Sequence, residues 1–505
     1  MAEQVAAEQV AAARGSADSR GSRGSRGSGA SADPAAAPTA TRRPGRVVVL
    51  DDDPTGTQTV ADLPIITRWE PGDVRWALDR PGPGFAVLTN TRSLDRGEAR
   101  ARTAEVVRAL LAAAGDETSR LRFVSRGDST LRGHHVDEVE VIVAELADVA
   151  PVDAVVMVPA FPSAGRTTVD GVHLVREAGK MVPAGRSSFA DDPTFGYSSS
   201  HLADWLEERS GGRVAAADVV LLDLALVHGP AAAFAAALGA VRGGRHVVVD
   251  AETDDDLARI VDAATLAEQA GRHLLWRIGP GLVRPLVGQG ARPALTADEL
   301  AGHVAAADPA TRHGLVVVGS HVPLTTRQVE HLRGQAGPSL ATIVVDVPTL
   351  LQADRRDAEV DRVAAEAVAA LADRDVLVTT SRVRVDGHDG DDSLRIARQV
   401  SRALVDLTRD VVARARPSFV VGKGGITSSD LATEALGLRR AVVLGTLLPG
   451  AVSVWRSADE EARVAPGGQP ASATPYAVFP GNVGTDDSLG AALSAFRAAA
   501  VKATG

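Results

Sequence analysis

The chain has 505 residues, of which 45% are hydrophobic and 23% are charged, and it contains no cysteine. The lack of cysteine excludes disulfides, a thiolate metal site and a cysteine nucleophile. With 54 basic and 64 acidic residues the net charge is −10, which argues against a general nucleic-acid-binding or acidic-membrane surface. This length exceeds what one hydrophobic core usually supports, so two domains are expected.

The first 45 residues differ in composition from the rest of the chain. They are rich in Ala, Gly, Ser and Arg, and Ser-Arg-Gly is repeated between Ser19 and Gly27. A segment so poor in large apolar residues cannot build a core, so we expect residues 1–45 to be a disordered tail. No aromatic residue is interleaved to stack on bases, so the tail does not predict a nucleic-acid partner.

The sequence contains no apolar run of the ~18 residues that a bilayer-spanning helix needs, and no N-terminal signal core. We therefore expect a soluble, cytoplasmic protein without a membrane partner. A homo-oligomer is compatible with the sequence, which leaves the oligomeric state open.

From Arg46 onward, short apolar runs alternate with helical patterns. The runs predict strands at Val47–Leu50, Phe85–Leu88, Leu121–Ser125, Ala154–Val158 and Val247–Val249, and the patterns predict helices at Gly97–Ala114 and Val136–Val149. A second series has strands near Leu315–Val318, Thr342–Val347, Val376–Thr379, Ser418–Val421 and Ala441–Leu444, with helices at Arg327–Arg333, Asp357–Ala372 and Ser393–Arg414. Such alternation is typical of mainly parallel sheets flanked by helices. The sequence predicts an α/β protein with two domains of this kind, residues 46–300 and 301–505.

Polar residues follow the predicted strands of the first domain, where open parallel sheets bind their ligands. Three aspartates, Asp51 to Asp53, follow the first strand, and Arg126, Asp128 and Arg132 follow the third. Adjacent side chains cannot all face one ligand, so we expect one or two of the aspartates to enter a site and another to cap a turn. Guanidinium groups beside a carboxylate suit an anionic, hydroxylated ligand, although a surface cluster of ion pairs would contain the same residues.

Small and donor-rich residues follow the strands of the second domain. Ser320 follows one strand, and Lys423 precedes the pair Gly424-Gly425 after another. Only three of the 54 basic residues are lysine, so a lysine between glycines indicates a need for a compact ammonium. Glycines that free backbone N–H groups before a helix predict a phosphate site. The order of residues is not that of a Walker loop, and a plain turn with a solvated Lys423 is the alternative.

Six motifs resemble, in the same order, those of the four-carbon acid sugar kinase family, whose members phosphorylate acids such as threonate, erythronate or oxo-tetronate. The motifs are DDDPTGT from Asp51, DSTLRGH from Asp128, PAFPSAGRTTVDG from Pro159, GSHVPLTTRQ from Gly319, KGGITSSD from Lys423 and FPGNVG from Phe479. The resemblance covers most of residues 46–490. It implies an N-terminal domain for the acid sugar, a C-terminal domain for ATP, and an active site in the cleft between them.

The resemblance also implies roles for individual residues. The nucleotide side would contain Ser320, Gly424, Gly425, Thr427 and Gly481, to which the glycine pattern described above adds Lys423. The sugar-acid side would contain Asp51, Asp52, Arg92, Asp128, Ser129, Arg132 and Arg166. Within this set Asp52 or Asp128 would orient or deprotonate the substrate hydroxyl, and these two are the candidate catalytic residues. The metal ligands are left open.

Two positions depart from the family pattern. Many members carry an acidic residue before the threonine of the double-glycine motif and a lysine before Pro-Gly-Asn, where this chain has Ile426 and Phe479. Lys423 would supply the missing cation from a neighbouring position.

The sequence therefore predicts a kinase that uses ATP and Mg²⁺ to phosphorylate the terminal hydroxyl of a four-carbon sugar acid. Phosphoryl transfer depends mainly on positioning and charge neutralisation, which these residues suit. Two alternatives stay open: a non-catalytic sensor of a nucleotide or sugar acid, and a kinase of a different small acid or polyol.

Overall fold

A computed structural model describes residues 45–503, apart from 178, 305–311, most of 383–389, 449 and 460–473. The predicted disordered tail, residues 1–45, lies almost entirely outside the described residues. Residues 43–505 form one compact unit.

The described strands and helices alternate along most of the chain. The strands are β1 (Arg46–Asp51), β2 (Leu63–Ile66), β3 (Gly84–Leu88), β4 (Leu121–Arg126), β5 (Ala154–Val158), β6 (Arg166–Val169), β7 (Val172–Glu177), β8 (Lys180–Pro183), β9 (Val220–Leu222), β10 (Arg245–Val249), β11 (Leu274–Ile278), β12 (Leu315–Val318), β13 (Leu340–Val345), β14 (Asp375–Thr380), β15 (Val420–Lys423), β16 (Arg440–Leu448), β17 (Val452–Ser457) and β18 (Tyr476–Phe479). The helices are α1 (Pro71–Asp79), α2 (Arg96–Ala114), α3 (His135–Leu146), α4 (Leu202–Ser210), α5 (Leu224–His228), α6 (Ala231–Ala240), α7 (Asp254–Gln269), α8 (Val283–Leu286), α9 (Ala297–Val304), α10 (Pro323–Ala336), α11 (Val347–Leu350), α12 (Arg356–Ala370), α13 (Gly390–Ala415), α14 (Gly425–Asp430) and α15 (Ser488–Ala503).

Each strand and helix predicted from the sequence is present, with bounds shifted by a few residues. The strand predicted to reach Val347 ends earlier, at Val345, because the Asp346 side chain accepts the Thr349 N–H at 3.1 Å and caps α11. Eight strands were not predicted from the sequence: β2, β6, β7, β8, β9, β11, β17 and β18. Of these, β2, β11 and β18 are short runs that are buried along their whole lengths and show no alternation.

One sheet runs through both the N-terminal half of the unit, which contains β1 to β11, and the C-terminal half, which contains β12 to β18. Among the described residues, fifteen strands are hydrogen-bonded in the order β13-β14-β12-β15-β18-β17-β16-β2-β3-β1-β4-β11-β5-β10-β9. The pairs from β2 to β9 are parallel, whereas β16 is antiparallel to both β17 and β2. The ladder between β2 and β16, in which Arg440 pairs with Ile66 and Val443 with Leu63, joins the two halves. A second sheet, β6-β7-β8, is antiparallel.

The hydrophobic core follows this continuous sheet. A single buried cluster includes Val49 of β1, Trp276 of β11, Val317 of β12 and Trp455 of β17, so it extends across both halves. Parallel strands covered on both faces bury nearly every side chain, and β3, β5 and β12 are buried along their whole lengths. None of the helices in the described part of the chain is long and apolar enough to cross a membrane.

Candidate active site

One buried guanidinium organises the aspartates that follow β1. Asp51 and Arg126 are partners in the β1–β4 ladder, at the carboxyl ends of both strands. Nη1 of Arg126 donates to Oδ1 of Asp51 at 2.7 Å, to Oδ1 of Asp52 at 3.1 Å and to the carbonyl oxygen of Asp53 at 3.1 Å. Burial raises the pKa of Asp51 to about 7, although Arg126 acts to lower it. The cation thus fixes the start of the turn that contains Asp52 and Asp53.

A second guanidinium comes from the turn after β3. Arg92 donates from Nη2 to Oδ1 of Asp52 at 2.6 Å, from Nε to Oδ2 of Asp52 at 3.2 Å, and from Nη1 to Oδ2 of Asp53 at 3.3 Å. The Asp52 side chain is only 1% exposed, and both of its oxygens accept from arginine. In this arrangement Asp52 orients Arg92 and Arg126. Whether Asp52 also contacts a substrate hydroxyl, as the sequence predicts, is untested.

The segment after β4 places a carboxylate beside two further arginines. Asp128 accepts from Nε of Arg132 at 2.7 Å and from the Thr130 hydroxyl. Burial acts to raise the pKa of Asp128, but Arg132, Arg92 and Thr130 outweigh it and hold the pKa far below its ordinary value. The guanidinium groups of Arg132 and Arg166 lie 5.1 Å and 5.9 Å from the ring centre of Phe189, so one aromatic ring supports both.

The loop that contains Ser129 is held by the small antiparallel sheet. Nε2 of His173 on β7 donates to the Ser129 carbonyl at 2.7 Å, and the Thr168 hydroxyl on β6 lies 3.0 Å from Nδ1 of the same ring. Burial lowers the pKa of His173 to about 4, so the ring is neutral near pH 7 and can accept from Thr168 while it donates to Ser129. His173 was not among the residues predicted from the sequence, because no local motif singles it out.

A buried ion pair lies beneath these loops. Nη1 of Arg277 on β11 donates to Oε2 of Glu138 on α3 at 2.5 Å, and the Thr91 hydroxyl donates to Oε1 of the same carboxylate at 2.5 Å. Nε of Arg277 donates to Nδ1 of His135 at 3.0 Å. Burial, reinforced by Arg277, lowers the pKa of His135 well below its ordinary value, so its ring accepts as the neutral form. The one sequence signal for this network is an arginine, Arg277, within the apolar run of β11.

The predicted nucleotide residues come together at the carboxyl ends of β12, β15 and β18. Gly424 has φ 123°, and a β-carbon built there would lie 3.2 Å from Cβ of Ser320 and 3.3 Å from Oγ1 of Thr427. A β-carbon on Gly481 would lie 2.6 Å from Oγ of Ser320. Side chains at either position would collide with Ser320 or strain the backbone, so only glycine allows the loops to approach so closely.

Lys423 lies beneath these loops with its amino group buried. Its side chain is fully buried, and Nζ donates to the Pro480 carbonyl at 2.6 Å and lies 3.7 Å from the ring centre of Phe479. Lys423 and Phe479 are direct partners in the β15–β18 ladder, which brings the amino group and the ring together. Burial lowers the pKa of Lys423 to about 6. Through this hydrogen bond, Nζ of Lys423 links the turn at Pro480 to the glycine loop. Whether it also contacts phosphate, as the sequence predicts, is untested.

The loops of the N-terminal half that carry the aspartates contact the C-terminal half near its glycine loop. The Thr57 hydroxyl lies 2.8 Å from Oγ of Ser453 and accepts from Nε1 of Trp455 at 2.9 Å. A β-carbon on Gly425 would lie 2.7 Å from Oδ2 of Asp53. The aspartate turn of the N-terminal half therefore adjoins the glycine loop of the C-terminal half. Within the described residues, no group of three or more His, Asp or Glu side chains is arranged to hold a metal ion.

Comparisons with known proteins agree with this division. Residues 47–286 match a sugar-binding N-terminal domain, and residues 315–489 match a nucleotide-binding C-terminal domain. Fold and site thus define a class of protein that places a sugar-binding half beside a nucleotide-binding half. A D-erythronate kinase from Heliobacterium modesticaldum is 30% identical over 344 residues, which are 66% of this chain and 70% of that kinase. The chain belongs to the four-carbon acid sugar kinase family, as the sequence motifs predicted.

Two solved structures share the fold. A Salmonella typhimurium LT2 protein described as a tRNA synthase has a TM-score of 0.63 and 20% identity, over 88% of this chain and 98% of its own. A Haemophilus influenzae protein has a TM-score of 0.57 and 19% identity, over 89% of this chain and 100% of its own. The predicted α/β fold class is confirmed.

Replacement of Arg277 by methionine should destabilise the protein by about 3–5 kcal/mol, because it leaves the Glu138 carboxylate buried without its partner. The measurement is the free energy of unfolding from denaturant titration. The double variant Arg277→Met with Glu138→Gln should recover part of this loss, since neither charge remains. Arg108→Met, which removes an exposed ion pair with Glu145, is the matched control and should change little. If Arg277→Met lost as little stability as the control, Arg277 and Glu138 would not be a buried ion pair that stabilises the fold.

Replacement of Lys423 by methionine should remove a pH dependence of stability. The folded pKa of about 6 lies below the ordinary 10.5, so between these values the unfolded chain binds a proton that the folded chain does not. The stability of the parent should therefore rise with pH across this window, by about 1.4 kcal/mol per pH unit from this group. Lys423→Met should lack this contribution, whereas Lys502→Met, at an exposed lysine, should retain it. Equal slopes in the parent and Lys423→Met would show that the buried amine stays charged.

Proposed function

We propose that the protein is an ATP-dependent kinase that phosphorylates the terminal hydroxyl of a four-carbon sugar acid, such as threonate, erythronate or an oxo-tetronate. The observation that carries this proposal is the contact between the Asp53 turn and Gly425, which sets the sugar-binding half against the nucleotide-binding half. The similarity to a D-erythronate kinase supports a substrate of this class. The nucleotide enters as its Mg²⁺ complex, so the metal belongs to the co-substrate.

The glycine loops support the nucleotide side of the proposal. Gly425 and Gly481 carry no side chain that would cover their backbone N–H groups, and Ser320 and Thr427 place hydroxyl groups beside Gly424, whose own N–H donates to the Phe479 carbonyl at 2.8 Å. Such groups bind phosphate oxygens without adding bulk. Lys423 supports this region from beneath by its bond to the Pro480 carbonyl.

The arginines support the sugar-acid side. Arg132 and Arg166, supported by one phenylalanine ring, present two guanidinium groups that suit a carboxylate, while Asp128 and Ser129 suit substrate hydroxyls. Arg92, bound to Asp52 and Asp53, carries positive charge towards the same region. Asp51 serves indirectly, because Arg126 binds it below the turn.

The proposed reaction needs little covalent help from the protein. The substrate hydroxyl and the γ-phosphate must be held in line, and the charge that develops on the phosphoryl oxygens must be neutralised. Arginines of the N-terminal half and backbone N–H groups of the C-terminal half can both align the two groups and neutralise this charge. A sensor would bind the same ligands without turnover, and a polyol kinase would not need the pair Arg132 and Arg166.

The test is ADP release by the purified protein with MgATP and a panel of threonate, erythronate and oxo-tetronate isomers, with the matching tetritols as substrates that lack the carboxylate. We expect turnover of one acid and little turnover of any tetritol. ATP binding without turnover on any acid would favour the sensor. Turnover of tetritols as fast as of acids would favour the polyol kinase.

Arg166→Met should raise KM for the preferred acid by about 10- to 100-fold, since a hydrogen bond to a charged group contributes about 1.5–3 kcal/mol. KM for MgATP should not change. The measurement is steady-state kinetics with each substrate varied in turn. Arg259→Met, at an exposed arginine of α7, is the control. An unchanged KM for the acid in Arg166→Met would remove this residue from the proposed site.

A further inference from the structure

We propose that Asp53 is a catalytic residue of this kinase, whose Oδ2 accepts the proton of the attacking substrate hydroxyl. This role rests on the proposed function. The sequence alone allowed any of the three consecutive aspartates to cap a turn or enter a site. The structure separates them by what each carboxylate contacts.

The two oxygens of Asp53 have different surroundings. Oδ1 accepts the Thr55 N–H at 2.8 Å and so caps the short 3₁₀ turn Pro54–Thr57. Oδ2 accepts a long hydrogen bond from Arg92, whose Nη1 lies 3.3 Å away. One oxygen therefore fixes the side chain, and the other has accepting capacity left.

Oδ2 of Asp53 faces the nucleotide-binding half. The three heavy atoms nearest to a β-carbon built on Gly425 all belong to the Asp53 carboxyl group, with Oδ2 at 2.7 Å, Cγ at 3.6 Å and Oδ1 at 3.9 Å. Gly425 belongs to the loop proposed to bind phosphate. A carboxylate this close to Gly425 adjoins the region proposed to hold the phosphates.

The neighbouring carboxylates are less suited to the role. Asp51 and Asp52 have side chains exposed by only 4% and 1%, and both bind the guanidinium of Arg126. The Asp53 side chain is 11% exposed. Asp128 is comparably exposed, but one of its oxygens accepts from both Arg132 and Thr130 and the other from the Thr130 N–H. Asp128 therefore fits a group that orients substrate hydroxyls.

The turn that carries Asp53 is anchored to the C-terminal half. Thr57, four residues further along, accepts from Nε1 of Trp455 at 2.9 Å and lies 2.8 Å from Oγ of Ser453, and all three side chains are buried. This anchor limits the movement of Asp53 relative to Gly425. A proton acceptor must be held within hydrogen-bond reach of the reacting hydroxyl, and rigid support of this kind provides that.

In the proposed step the substrate oxygen forms a bond to the γ-phosphorus as the bond from that phosphorus to the bridging oxygen breaks. The electron pair of the broken bond leaves with ADP, and the hydroxyl proton passes to Oδ2 of Asp53. Burial acts to raise the pKa of Asp53, but Arg92, Arg126 and Thr55 hold it below its ordinary value, so the group is ionised near pH 7. A weak base suffices when the transition state is loose and the proton leaves late.

The test is the variant Asp53→Asn, because asparagine keeps an oxygen to accept the Thr55 N–H but cannot take the proton. With the preferred acid, kcat should fall by about 10²- to 10⁴-fold, the usual contribution of a general base. KM for the acid and for MgATP should stay near the parent values. Asp223→Asn removes the charge from another aspartate that caps a short helix, and it should leave kcat unchanged.

The remaining outcomes are distinct. A parent that turns over together with an equally active Asp53→Asn would overturn the role of Asp53 and leave the kinase intact. An Asp53→Asn variant whose kcat recovers at high Mg²⁺ or with Mn²⁺ would make Asp53 a metal ligand, which also overturns its role as base. A parent without turnover on any acid would overturn the proposed function and this role with it.

Discussion

The arrangement of the N-terminal loops depends on the burial of one cation, the guanidinium of Arg126, among three successive aspartates. Arg126 binds Asp51 and Asp52 and the carbonyl oxygen of Asp53, all within about 3 Å, at the ends of adjacent parallel strands. Three carboxylates in sequence would repel one another without it. Arg126 compensates the negative charges of Asp51 and Asp52. Asp53, which follows them after the end of β1, can therefore face the C-terminal half of the protein.

The continuous sheet has consequences for motion. The β2–β16 ladder and a shared hydrophobic core join the halves, so a wide opening between them would break backbone hydrogen bonds or expose apolar surface. Movement of the strand-end loops alone would admit the substrate at a lower free-energy cost than separation of the two halves. Gly450 lies beside Phe161 and Ser163, with a β-carbon there 3.9 Å from atoms of both, so loops of the two halves also meet above the sugar side.

The pairing of Lys423 with Phe479 concerns one of the two departures from the family pattern, the aromatic residue before Pro480. The two residues are ladder partners, and the amino group of Lys423 lies against the aromatic ring while it donates to the Pro480 carbonyl. The ring and the carbonyl favour the charged form, but burial outweighs them and lowers the pKa of Lys423 to about 6. The lysine thus fixes the turn before Gly481, and whether it also contacts phosphate is untested.

The sequence by itself determined the alternation of strands and helices, the family and the strand ends at which polar residues collect, because apolar periodicity and motif order are local properties. Which carboxylate faces the nucleotide half was decided only by tertiary structure. The contact between Asp53 and Gly425 spans 372 positions, and the pair Glu138 and Arg277 spans 139. Such contacts depend on how β2 joins β16 and on which groups lose access to water, and neither property is written in the local pattern of the chain.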